Sequence, residues 1–309
     1  MKSLINKLNS RNLLNIGLFL FILILVLLVM LSPDKEAEKV SVKLTKLKPT
    51  DIYDIELRRA SEPNIKLQKR NGIWYIIEPF QLAANEFRAQ SVSALAGVIS
   101  HLQYDAKTID LKKFKLDKPE ISIVLNKSIT LDVGGVDPIK NRRYVKNGET
   151  LHLVNDTFYY QIVGKVTAYI SYQLLAPEIK LSKLVLPKFT LQLQEGDWKI
   201  TPEQKDTSAD SINEFVSEWR HAQSLEISDY QGKARKADIQ IFIQDQERPI
   251  EFSLQKESGN SYFLVRNDLK LRYKLSDETA EKLQKLPDPP EPEAIPAEAQ
   301  TGAADAPEK

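Results

Sequence analysis

The chain has 309 residues, with 43 Lys plus Arg against 42 Asp plus Glu, three His and no Cys. That length makes about two domain-sized units of ~100–200 residues, and the lack of Cys excludes disulfides, thiolate catalysis, Cys-ligated zinc and iron–sulfur clusters. A net charge of +1 argues against a general nucleic-acid binder, which needs a strongly basic face.

Leu13 to Leu31 is apolar apart from Asn15. As a helix rising ~1.5 Å per residue it is roughly 28 Å long, which matches a hydrocarbon core of about 30 Å. Lys2, Lys7 and Arg11 precede it with no acid among them. The positive-inside rule then predicts a single-pass anchor with its N-terminus in the cytoplasm. The exit Val29-Met30-Leu31-Ser32-Pro33-Asp34 lacks a small-residue cleavage pattern, so residues 1–31 are expected to remain as an uncleaved signal anchor. Ser32 to Lys39 reads as a polar tether.

Val40, Val42 and Leu44 alternate with Ser41, Lys43 and Thr45, the period of a half-buried strand. A second strand is expected around Ile52 to Leu57. Ile65 to Gln68 and Trp74 to Ile77, joined through Asn71-Gly72, predict a hairpin, because Asn-Gly tolerates the positive φ of a tight turn. Asn85 to Gln103 then takes helical spacing, with Val92, Leu95, Ile99 and Leu102 on one face, Phe87 a turn earlier and Asn85 as N-cap. Strands follow at Ile121–Leu125 and Ile129–Val133. A further pair, Tyr144-Val145 and Leu151-His152-Leu153, flanks Asn147-Gly148.

This order recurs. Gly72 and Trp74 have counterparts 124 residues on in Gly196 and Trp198, and Val92 and Leu95 have theirs in Val216 and Trp219. Pro79 corresponds to Pro202, Ile121 to Ile239, and Val145 to Val265. The second helix shows Ile212, Phe215, Val216 and Trp219 on one face, with Ser211 and Glu214 at capping-box spacing. The fold class expected is α+β, with two tandem repeats over 40–177 and 178–286, each an antiparallel sheet packed with an amphipathic helix. Gly164 to Leu184 links them, and its Tyr169, Tyr172, Leu174 and Leu175 predict a packed connection. The last stretch, 287–309, holds six Pro, six Ala and six acids against one Lys, the composition of a disordered tail.

Three cues carry a family resemblance. One is the strand, Gly-x-Trp turn, Pro and amphipathic helix that open each repeat. Another is Leu116-Asp117-Lys118-Pro119 leading into the Ile121 strand. The third is Arg143-Tyr144-Val145 before a hairpin. Together they resemble the bacterial domain of unknown function 4340 (DUF4340) family. The second repeat has Ala234-Arg235-Lys236-Ala237 in place of the Leu-Asp-Lys-Pro element. The resemblance implies a membrane-anchored envelope protein with this α+β unit in tandem, associated with ABC-type transport systems. It brings no catalytic residues.

No constellation of catalytic residues stands out. His101, His152 and His221 are not at helical metal-ligand spacing, and they read as surface or capping residues. Gly134-Gly135 lacks a following phosphate-loop Lys-Ser/Thr and reads as a turn. Trp74 and Trp198 occupy equivalent positions and read as core plugs rather than sugar-stacking platforms. Lys112, Lys113, Lys115 and Lys118 read as a solvated basic run, and Arg142-Arg143 and Arg235-Lys236 as loop charges. No catalytic residue, metal or cofactor is therefore expected. The expectation is a non-catalytic, periplasmic accessory or scaffold protein, held on the bacterial inner membrane beside a partner such as a transporter permease. The alternative is a binding module for envelope glycan or lipid, and an enzyme is a third, weaker option.

Overall fold

The computed structural model describes residues 10–31, 42–204, 207–257 and 261–287, with side chains of the first helix described over Leu14–Leu27. Residues 1–9, the tether at 32–39, Val40, Ser41 and the tail from 288 lie outside the described residues. The chain divides into two compact units, residues 1–42 and residues 43–309.

The first unit contains α1 (Ser10–Leu31), a helix of 22 residues. Among the described residues no helix is long and apolar enough to cross a membrane. The expected transmembrane helix is therefore not found as such.

The second unit is α+β. Its elements run β1 (Asp54–Arg59), β2 (Ile65–Arg70), β3 (Ile73–Glu78), β4 (Leu82–Ala83), α2 (Glu86–Ala94), β5 (Leu102–Asp105), β6 (Ile121–Leu125), β7 (Ile129–Asp137), β8 (Arg142–Asn147), β9 (Thr150–Asn155) and α3 (Tyr159–Ile162). They continue with β10 (Leu181–Val185), β11 (Thr190–Gln194), β12 (Asp197–Thr201), α4 (Ala209–His221), β13 (Glu226–Asp229), β14 (Ile239–Ile243), β15 (Ile250–Glu257), β16 (Ser261–Arg266), β17 (Leu271–Leu275) and α5 (Asp277–Lys282).

The first sheet has nine strands in the order β4-β3-β2-β1-β6-β7-β8-β9-β5, and the second has eight in the order β12-β11-β10-β14-β15-β16-β17-β13. Apart from β4, the two orders match strand for strand. The hairpin turns form where backbone with positive φ is available: Asn71 and Gly72 lie at 49° and 86°, and Glu195 and Gly196 at 53° and 96°. The Glu78–Pro79 and Thr201–Pro202 peptide bonds are both cis.

Alternation places Ile55, Leu57, Ile65, Leu67, Trp74 and Ile76 in the core of the first sheet. On α4, Ile212, Phe215, Val216 and Trp219 face inward at the expected spacing. Burying each such aliphatic or Phe side chain contributes ~1.5–3 kcal/mol, which fixes the helix on its sheet. The cap of α4 is Ser208, whose hydroxyl accepts from the Ser211 amide, so the helix starts earlier than a Ser211 cap would allow.

Several local expectations are overturned. The helix predicted over Asn85–Gln103 starts where expected, with the Asn85 side-chain Oδ1 accepting from the Arg88 amide at 3.1 Å. It ends at Ala94, passes through a 3-10 turn at Leu95–Gly97, and gives way to β5. Gly97 weakens the helix there, and the chain beyond it pairs with β9 instead, Leu102 opposite Leu153. Phe87, Ile99 and Leu102 are consequently exposed. Of the strand predicted from Val40, the described residues from Val42 on make one bridge, Lys43 to Ile99. Leu44 and Thr45 are both buried because each binds the turn after α2: Leu44 N–H to the Val98 carbonyl at 2.7 Å, Thr45 Oγ1 to the Ala96 carbonyl at 2.8 Å.

Gly134-Gly135 is not a turn. It lies within β7, where the pairing with β8 shifts register between Val133 and Val136. A Cβ on Gly134 would stand 2.5 Å from the Phe114 carbonyl, so glycine admits the backbone of the Leu111–Phe114 turn that crosses the sheet there. Lys112, Lys113, Lys115 and Lys118 on and after that turn are exposed.

The link between the sheets is a packed strap. Tyr169, Ile170, Leu174 and Leu175 are buried. The Asn85 amide donates to the Tyr169 carbonyl and the Ser171 amide to the Ala83 carbonyl, on the first-sheet side. The Leu174 amide donates to the Ala222 carbonyl and the Ser224 amide to the Tyr172 carbonyl, on the second. Arg59, buried on β1, adds its guanidinium to the carbonyls of Pro63 and Gly164. Burial holds that guanidinium below its usual pKa.

Candidate functional site

The three histidines sit in separate surroundings. His101 leads into β5 and places Nε2 2.9 Å from Asn155 Oδ1. His221 ends α4 with Nδ1 2.9 Å from the Ser217 carbonyl. His152 departs from the surface reading: it is 4% exposed. It pairs with the core residue Val145 across β8 and β9 and so shares that residue's face, while Leu151 and Leu153 are buried on the opposite side. Its Nδ1 lies 3.4 Å from Gln103 Nε2, and desolvation lowers its pKa. Among the described residues no group of three or more His, Asp or Glu comes together to hold a metal.

The same register corrects one repeat equivalence. Asn147 pairs with Thr150 beside its turn, and Arg266 pairs with Leu271 beside the matching one. Counting outward, Val145 corresponds to Leu264 and His152 to Tyr273, both on the core face. The match of Val145 to Val265 is off by one residue, which inverts the face. Burial raises the Tyr273 hydroxyl to about 12.

Arg143 is no loop charge. It lies on β8, 7% exposed. Its Nε and Nη2 bind Asp156 Oδ1 and Oδ2 at 2.5 and 2.9 Å, its Nη1 donates to the Gly134 carbonyl at 2.8 Å, and the guanidinium stands 3.5 Å from the Tyr159 ring centroid. Arg143 thus clasps β7, β8 and the turn before α3. The two-residue spacing from Val145, which puts Arg143 on the same face, is the sequence signal that marks it as buried.

The junction of the sheets and strap holds a cleft of about 280 Å³. Tyr75 and Leu82 reach it from the first sheet, Ile170 and Leu174 from the strap, and Arg266 and Tyr273 from the second. Arg266 forks onto Asp268, with Nε–Oδ1 at 2.9 Å and Nη2–Oδ2 at 2.6 Å. Burial pushes the Asp268 carboxyl up, but the hydrogen bonds and charge of Arg266 outweigh it and hold the pKa below its ordinary value. The walls mix apolar side chains with Gln81, Ser171, Gln173, Glu178 and Gln246, and the one guanidinium is already paired, an arrangement suited to binding an amphipathic group.

The two repeat tryptophans also part company. Trp74 is 1% exposed. Trp198 is half-buried and lines a groove of about 400 Å³.

A family profile described as Domain of unknown function (DUF4340) matches residues 74–241, a little over half of the chain. The chain belongs to this family. The DUF4340 match begins in β3 and ends in β14, so it takes in the strap and parts of both sheets rather than one repeat. Neither the curated proteins nor the solved structures give a significant match.

Proposed function

We propose that this DUF4340 protein is a non-catalytic accessory or scaffold subunit of an envelope transport complex of the ABC type, anchored by α1 in the bacterial inner membrane with its N-terminus in the cytoplasm and its body in the periplasm. One observation carries the reading. Twelve large apolar side chains from Leu14 to Leu27 are each 46–75% exposed, on a helix whose sequence continues apolar to Leu31. An uncovered apolar surface of this size requires lipid or a protein partner. Lys2, Lys7 and Arg11 set the orientation. The α+β body, with its repeats over 40–177 and 178–286 strapped together, offers a rigid surface to a permease. Affinity purification at native expression in mild detergent tests this: transporter subunits should be recovered, and their absence would count against the role.

The junction cleft favours a second reading, a binding module for envelope glycan or lipid, because its mixed polar and apolar walls and single paired guanidinium suit an amphipathic ligand. Saturation of binding by lipid or glycan fragments, lost on Tyr75→Ala, would support it.

A further inference from the structure

The hairpin that joins β7 to β8 carries the most open large apolar side chain among the described residues. Asp137 pairs with Arg142 across it, so 138–141 form the tip. There Ile139 is 83% exposed, more than any apolar side chain described on α1, and Val136 beside the tip is exposed as well. The Leu111–Phe114 turn abuts this hairpin: Lys113, Phe114 and Lys115 line one cavity of about 430 Å³ with Gly135, Val136 and Tyr144. Phe114 meets Tyr144 edge to face at 4.6 Å, which gives the cavity an aromatic wall. The turn and the tip together bring Lys112, Lys113, Lys115, Lys118, Lys140 and Arg142, and among the described residues none of the six makes an ion pair. Four acids lie in the same two segments. Asp110 and Asp137 are turned onto the amides of Lys112 and Ile139, at 3.1 and 3.4 Å, which leaves Asp117 and Glu120 as the opposing charges.

We propose that this end of the first sheet is a membrane contact of its own, in which Ile139 enters the acyl boundary of a bilayer and the neighbouring cavity takes the phosphodiester of an anionic phospholipid headgroup between Lys113 and Lys115. Three features select a lipid surface. An aliphatic side chain held in water at a loop tip carries a free-energy cost that the acyl boundary removes. Ammonium groups free of ion pairs attract anionic headgroups over about a Debye length, ~8–10 Å. Tyr144 supplies an amphipathic ring of the kind that sits at headgroup level. A nucleic acid would use the same lysines and leave Ile139 without a role. A single apolar tip is also far smaller than the ~800 Å² that each partner gives a stable protein interface. Unlike the transport role, this inference concerns the body's own contact with lipid, and it stands or falls separately.

The test uses the full chain. Because it has no Cys, Pro138→Cys attaches one nitrobenzoxadiazole dye beside an intact Ile139, and Glu149→Cys places the same dye in the turn at the opposite end of β8. The chain is reconstituted with vesicles of phosphatidylcholine alone or with about a third phosphatidylglycerol, and flotation reports the bound fraction. With phosphatidylglycerol the dye at 138 should brighten and shift to the blue as it leaves water, while the dye at 149 stays unchanged. The change should be lost in Ile139→Asp and, separately, in Lys113→Glu with Lys115→Glu, three exposed positions that vary without disturbing the core. A dye at 138 that stays in water on floated vesicles overturns the proposal, as does an equal change at 149. An equal response in phosphatidylcholine alone, or one that survives the paired lysine substitutions, overturns the headgroup site. A chain that floats with neither vesicle overturns this contact and the α1 anchor together.

Discussion

Arg143 and Asp156 form a two-pronged ion pair in which both side chains are about nine-tenths buried, at 9% and 11% exposure. Removing one partner leaves the other charge without compensation in a low-dielectric site. Such losses run to ~3–5 kcal/mol, far above the ~0–1 kcal/mol of a surface pair. Asp156→Ala should lower the midpoint of urea unfolding by an amount in that range. Glu149→Ala, which breaks the exposed pair with Lys107, should leave the midpoint nearly unchanged. Equal effects from the two substitutions would show that the clasp does not hold β7 and β8 to the turn before α3.

His152 gives the body a pH dependence of known sign. Burial lowers its pKa in the folded state, while the unfolded chain titrates near the ordinary value of about 6.5. Below that value the unfolded chain binds a proton that the folded chain resists, so stability falls as pH drops through the window under 6.5. Above it both states are neutral and the contribution is flat. The loss of stability between neutral and mildly acid pH should be smaller in His152→Gln than in the native chain. Parallel stability curves for the two proteins would contradict this.

Gly134 and Gly135 are neighbours with opposite tolerance. A Cβ at Gly134 meets the Phe114 carbonyl at 2.5 Å, but at Gly135 the nearest atom is 3.6 Å away. Gly134→Ala must push a backbone segment aside, at the ~1–3 kcal/mol typical of overpacking. Gly135→Ala should cost markedly less. Thermal unfolding of the two variants checks the contrast.

Much of the fold was legible. The turns at Asn71-Gly72, Asn147-Gly148 and Gly196, and the inward face of α4, follow from local chemistry and periodicity, and the expected recurrence of elements agrees with the matching strand orders. What failed depended on distant partners. Ile99 and Leu102 continue a helical spacing by coincidence, and only pairing with Lys43 and Leu153 reveals extended chain. The paired glycines gave no sign of the Phe114 backbone above them. The one-residue slip between Val265 and Leu264 followed from a turn longer in the second repeat than in the first, which identity matching absorbs in the wrong place. The open groove at Trp198 was hidden for the opposite reason: the repeat suggested that it should be closed like Trp74. The junction cleft has residues from both sheets and the strap, and no local pattern foretells it.

The proposed anchor makes a prediction of its own. Leu20→Lys with Ile24→Lys places two charges near the centre of α1, at ~2.5–3.5 kcal/mol each on the insertion scale. The doubly substituted chain should leave the carbonate-resistant membrane fraction. Its retention there would mean that something other than α1 holds the protein on the membrane.

The most direct measurement of the account is protease accessibility in intact spheroplasts, with a tag at each end of the chain. The account predicts that protease added outside removes the α+β body and the C-terminal tag, while an N-terminal fragment stays protected in the membrane. A body that is digested only after the cells are lysed would contradict it.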